Sequence, residues 1–115
     1  MTLSHITFIS ADLDRMEEML IRVLKARKVY ESGATKFSLS RERFYDVGGV
    51  WVAVMAGEAL KERSYNHVAF YVDEEELEER LAEIAALGLE VMPGRTRVRG
   101  EGHSIYFYGP DGHLI

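Results

Sequence analysis

Leu3-Ser4-His5-Ile6-Thr7-Phe8-Ile9 reads like Tyr65-Asn66-His67-Val68-Ala69-Phe70-Tyr71, and that likeness decides the fold. His5 falls on His67 and Phe8 on Phe70, an offset of 62 residues from position 5 to position 67. The same offset sets Val29 on Val91 and Phe44-Tyr45 on Tyr106-Phe107. A constant offset across half a chain marks a repeat, which governs architecture before any local reading does. Two copies of one module follow, at about 3–57 and 65–115.

Each copy opens with a short strand of β-branched and aromatic residues. Asp12 and Asp73 stand where helix N-caps are expected, since their carboxylates can accept from free backbone N–H groups. Leu13, Met16, Leu20, Val23 and Leu24 keep helical spacing in the first copy; Leu77, Leu81, Ile84 and Ala85 keep it in the second. Lys25 lies near the first helix end, and Gly88 suits a left-handed stop for the second. Strands are expected at 27–31, 36–47 and 50–56, then at 89–92, 104–108 and from His113 onward. Gly48-Gly49 and Gly109-Pro110-Asp111-Gly112 supply turns, and 93–102 reads as a long loop. The fold class is α+β, a βαβββ unit written twice within one domain over 1–115.

Composition sets the frame for function. The chain has 115 residues, 47% hydrophobic and 29% charged, with net charge −5. A mildly acidic protein is a poor match for nucleic acid or an anionic membrane, and no apolar run approaches the ~20 residues of a membrane span. No signal peptide is visible, and cysteine is absent, which excludes disulfides, thiolate zinc sites and thiol nucleophiles. A cytoplasmic location is expected. Chemistry is left to His, Asp, Glu, Tyr, Ser and Arg.

A histidine in an apolar strand is ordinarily a packed, hydrogen-bonded core residue. Two at equivalent repeat positions read differently: when two βαβββ units pair through their first strands, His5 and His67 can converge on one cation. Two imidazoles and a carboxylate leave open positions on a divalent metal acting as a Lewis acid. His103 and His113 keep the ordinary reading. Glu42 sits mid-strand, and a two-residue period sets it on one face with Ser38, Ser40 and Phe44. It is either paired with Arg41 or Arg43, or a general base in a concave site. Arg95, Arg97 and Arg99 alternate along a glycine-rich loop: an exposed basic loop, or a clamp for a phosphate or phosphonate. Trp51, Tyr65, Tyr106 and Tyr108 either build core or line a pocket, and Ser104 and Tyr106 share a strand face.

The repeat with a histidine in each first strand resembles the vicinal oxygen chelate superfamily of glyoxalases and bleomycin-resistance proteins. Phe37-Ser38-Leu39-Ser40-Arg41-Glu42, Glu62-Arg63-Ser64-Tyr65-Asn66-His67 and Gly100-Glu101-Gly102-His103-Ser104-Ile105-Tyr106-Phe107-Tyr108 resemble, more narrowly, fosfomycin-resistance proteins of the epoxide-hydrolase type. The resemblance covers nearly the whole chain. It implies a homodimer in which modules from different subunits form each cupped mixed sheet. It also implies metal ligands His5 and His67, and Mn(II), or another divalent ion, as cofactor. Glu42 matches the general base that activates water to open the epoxide of a small phosphonate at C1. Tyr65, Ser104 and Tyr106 match positions around the phosphonate, with Arg97 and Trp51 added to the substrate-binding set. Proteins of that type continue past the segment matching Gly112-His113-Leu114-Ile115 with a glutamate as third ligand. The third ligand is therefore expected just after Ile115, where the last strand stops short; the repeat independently maps Ala56 and Gly57 onto 118 and 119. Other readings are a thiol transferase acting on fosfomycin, an isomerase or dioxygenase of the same fold, and a non-catalytic drug-sequestering protein.

Overall fold

The computed structural model describes residues 1–34, 38–96 and 103–115. Its elements run β1 (His5–Ser10), α1 (Leu13–Leu24), β2 (Arg27–Glu31), β3 (Glu42–Val47), β4 (Val50–Ala56), a 3-10 turn (Glu74–Glu76), α2 (Leu77–Ala86), β5 (Val91–Thr96) and β6 (His103–Phe107). The first module forms a sheet in the order β1-β4-β3-β2. β1 and β4 are parallel, and the other pairs antiparallel. Gly48 and Gly49 close β3 onto β4 with φ of +57 and +88, the two positive values that a tight hairpin matching strand twist requires.

The second module repeats this order with fewer rungs. β5 and β6 pair antiparallel, Leu114 bridges antiparallel to Tyr108, and His67 bridges parallel to Leu114. The strand expected over 65–71 is thus reduced to one rung among the described residues, because a ladder needs a residue opposite each position. The turn 109–112 explains a change of register. Gly109 N–H donates to His113 O at 2.8 Å, so one more residue is looped out than between Val47 and Val50. The repeat offset becomes 63 beyond the turn, and Leu114 stands to His67 as Trp51 stands to His5.

α1 begins as expected. Asp12 Oδ1 accepts from the N–H groups of Asp14 and Arg15, both at 3.1 Å. It ends on Lys25, which takes the left-handed conformation itself at φ 54. Leu13, Met16, Met19, Leu20 and Val23 bury one face of α1 against Phe8, Tyr45, Val52 and Val54 of the sheet. Asp73, by contrast, caps nothing with its side chain, because a 3-10 turn of three glutamates intervenes before α2. Within α2 only Ile84 and Arg80 are buried, and Leu81 is 37% exposed. α2 meets α1 largely through polar groups: Arg22 Nε with Glu83 at 2.6 Å, Lys25 with Glu79, and Arg80 Nη1 donating to Val23 O at 2.6 Å. β3 starts at Glu42 rather than 36, since 38–40 are bends. β5 runs on to Thr96, beyond the expected 92 and into the expected loop.

Candidate active site

Alternation along the strands sorts the first sheet into a helix-covered face and an open one. Ile6, Phe8, Arg43, Tyr45, Val52 and Val54 face α1. His5, Thr7, Glu42, Phe44, Ala53 and Met55 face the other way and, with Tyr30 and Ser38, line a cavity of about 410 Å³. His5 and Glu42, far apart in sequence, therefore share one concave wall. His5 is exposed, with Nδ1 3.0 Å from Ser4 Oγ. Glu42 is only 6% exposed. Its backbone is fixed twice by Ser32: Glu42 N–H donates to Ser32 Oγ at 3.0 Å, and Glu42 O accepts from Ser32 N–H at 2.9 Å.

The sequence offered Arg41 or Arg43 as an ion partner for Glu42. Arg43 lies on the opposite face, where Asp14, Glu17 and Glu31 take its guanidinium at 2.8, 3.0 and 2.7 Å. No described residue pairs with the Glu42 carboxylate. The Glu42 residue is enclosed, yet its carboxylate has no counter-charge among the described residues, which leaves it available to a molecule in the cavity. Trp51 stands opposite His5 in the β1–β4 register, 49% exposed, its ring 6.0 Å from that of Phe44. It borders this cavity without lining it.

The other residues expected at the site gather in the second module. The rings of Tyr65, His67 and Tyr106 form a triangle with centroid separations of 5.4, 5.3 and 6.3 Å. His67 Nδ1 lies 2.9 Å from Tyr65 O. A carbonyl only accepts, so Nδ1 carries the proton and the Nε2 lone pair is left for a metal or another donor. Ser104 is half-buried on β6, two residues from Tyr106. Tyr108 is occupied otherwise: the Arg63 guanidinium stacks 3.9 Å above its ring while Arg63 Nη1 donates to Glu90 at 2.6 Å. Arg97 and Arg99 lie outside the described residues, and Arg95 stands opposite Ser104 in the β5–β6 register.

The structure thus brings His5 to Glu42, and His67 to Tyr65 and Tyr106, in two separate half-sites. No described contact or cavity joins His5 to His67, and no group of three His, Asp or Glu side chains converges among the described residues. Each histidine nevertheless suits a metal, being exposed with one nitrogen held by a neighbour. Two polar residues read from sequence in ordinary roles, Asp111 as a turn residue and His113 as a packed, hydrogen-bonded histidine, do something else. Asp111 Oδ1 accepts from Ala11 N–H at 2.8 Å, tying the turn 109–112 to the end of β1. His113 Nδ1 is buried without a hydrogen-bond partner among the described residues, and burial lowers its pKa against the opposing charge of Asp111.

The fold and the histidine positions define a class, and comparison with known proteins agrees. The chain belongs to the Glyoxalase/Bleomycin resistance protein/Dioxygenase superfamily, whose family model matches residues 2–115. Within it the chain is 52% identical over 113 residues to the fosfomycin resistance protein FosX of Mesorhizobium japonicum, covering 98% of this chain and 81% of that one. It is 47% identical to the FosX of Listeria innocua, covering 98% and 85%. Among solved structures, a mutant FosX from Listeria monocytogenes complexed with Mn(II) and 1S,2S-dihydroxypropylphosphonic acid superposes with a TM-score of 0.85 at 44% identity, covering 98% and 85%. A metallothiol transferase FosB from Shouchella clausii is more distant, at 29% identity over 118 residues, covering 98% and 76%.

Proposed function

We propose that this chain is a Mn(II)-dependent epoxide hydrolase that adds water to fosfomycin and so confers resistance to it. The observation that carries the reading is Glu42, a buried carboxylate with no described counter-ion, sharing a cavity with His5. Fosfomycin is a small phosphonate epoxide, and the dihydroxypropylphosphonate bound to the related FosX has the composition of epoxide plus water. In this reading Glu42 takes a proton from water as the water oxygen attacks C1 and the C1–O bond of the oxirane breaks; the oxirane oxygen, still bonded to C2, takes up a proton from solvent to become the second hydroxyl, and Glu42 releases its own to solvent. His5 and His67 would hold the metal through their free ring nitrogens. When bound, Mn(II) is a Lewis acid that polarises the oxirane oxygen. Tyr65, Ser104, Tyr106 and Arg97 hold the phosphonate and orient the ring, and Trp51 borders the apolar end.

Because each half-site holds one histidine, a second copy is part of the proposal: His5 of one subunit faces His67 of the other, in a homodimer. Support comes from β1, an edge strand of its sheet that exposes Ile9, with Leu3 exposed just before it. One domain over 1–115 and a cytoplasmic location belong to the same reading. No described helix is long and apolar enough to cross a membrane.

Turnover of fosfomycin by the Mn(II)-loaded protein, with and without added thiol, tests the assignment. The expected product gains the mass of one water and does not depend on thiol. A thiol adduct would move the chain to the transferase reaction, and tight binding without turnover would make it a sequestering protein.

A further inference from the structure

Glu42 is the first residue of β3, and strand ends are where sheets open most easily. A base at such a position needs something to hold it, since a misplacement of about 1 Å can cost as much as 10²-fold in rate. Two features converge on this end. Ser32, just past β2, holds both backbone groups of Glu42. Arg43, one residue on, sends its side chain through the opposite face and ties β3 to two other elements. Nε bonds Glu31 of β2 at 2.7 Å, and the two terminal nitrogens bond Asp14 and Glu17 of α1 at 2.8 and 3.0 Å. The cluster is braced from below, because the buried Tyr45 hydroxyl donates to Glu17 at 2.8 Å and Lys28 reaches Glu17 at 3.2 Å. At 7% exposure, Arg43 is far more buried than a surface ion pair. Of its partners Glu17 is the most enclosed, while Asp14 and Glu31 reach solvent, so the cluster acts chiefly by tying three elements together at one point.

We infer that Arg43, together with Ser32, is a positioning residue for Glu42, latching the start of β3 to β2 and α1 so that the carboxylate is held in the cavity. This rests on Glu42 being the base. The latch acts through backbone placement, since Arg43 never reaches the cavity side of the sheet.

A double-mutant cycle on the Mn(II)-loaded protein tests it, with amide hydrogen exchange as a second readout. Arg43→Met is expected to lower kcat for fosfomycin hydration about tenfold or more while KM changes less than about twofold. It should speed exchange of the Glu42 amide about tenfold and leave the amides of Thr7 and Val52, away from the start of β3, near their wild-type rates. In a Glu42→Gln background the same change should lower the residual rate by less than about twofold, since the latch then has no base to place. Ser32→Ala, the milder variant should Arg43→Met fail to fold, is expected to move kcat and Glu42 exchange in the same directions. Equal losses in both backgrounds, or unchanged Glu42 exchange, would overturn the inference. Full hydration by Glu42→Gln alone would instead remove the base assignment and the latch with it, a result separable from the cycle.

Discussion

The two modules come from one repeated pattern, yet they hold themselves together by different means. Among the described residues the first has four paired strands, broken by one bulge in β2, with Tyr45, Met16, Met19, Leu20 and Val52 fully buried between sheet and α1. The second has one strand pair and two isolated rungs among the described residues, and its helix buries a single aliphatic side chain of the core, Ile84. Phe107, Ile84 and Ile115 join the core that α1 has already built. A repeat therefore fixes topology without dividing the stabilisation equally. In the proposed reaction the chemistry divides along the same line: the first module carries the base, the second the tyrosines and serine that hold the anion.

Removing the two proposed metal ligands is the strongest way to break the comparison. His5→Ala and His67→Ala, one from each module, should each weaken Mn(II) binding by about 10²-fold or more and abolish hydration, as chelation of the metal should. Titration calorimetry measures the first effect and product formation the second. If only one histidine matters, the two half-sites do not share a metal.

Next in size is the difference between the helices. Leu20→Ala removes a side chain with no exposure and should cost about 2–5 kcal/mol in denaturant unfolding. Leu81→Ala, on the partly exposed face of α2, should cost less than about 1 kcal/mol. Similar losses would mean that α2 is buried more deeply than the single chain indicates, as by a second subunit.

A smaller effect follows pH. Burial lowers the His113 pKa in the folded protein, Asp111 only partly offsetting it, whereas the unfolded chain titrates near the ordinary 6.5. The unfolded state thus binds the proton more readily, so stability is level above that pH and falls as pH drops below it. Thermal melts between neutral and mildly acid pH should show this slope in the wild type and a shallower one in His113→Phe. The smallest effect is at Lys25, a non-glycine residue at φ 54. Lys25→Gly should stabilise by about 0.5–1 kcal/mol, less whatever the exposed pair with Glu79 contributes.

Much of this was legible in the sequence where a local rule decides the outcome. β2 and β4 fall on their expected bounds, and Asp12 caps α1, because alternation, the glycine turn and the cap each act over a few residues. The pairing of His5 with Glu42 on one wall follows from two-residue alternation once β1, β4 and β3 are neighbours. Other features depend on distant partners. Whether Glu42 pairs with Arg43 turns on Asp14 and Glu17, which only folding brings beneath β3. The strand at 65–71 has the right residues, yet among the described residues only His67 finds one opposite. Asp73 has the right side chain for a cap, but a 3-10 turn intervenes before α2.

The central claim is that the lone buried carboxylate of the first module does the proton chemistry, and Glu42→Gln tests it most directly. Hydration of fosfomycin at saturating Mn(II) should be measured beside calorimetric binding of metal and substrate. The account predicts both affinities within about threefold of wild type and turnover reduced by about 10²-fold or more, because an amide cannot take the proton from water. Undiminished turnover with intact binding would contradict it and assign the base elsewhere.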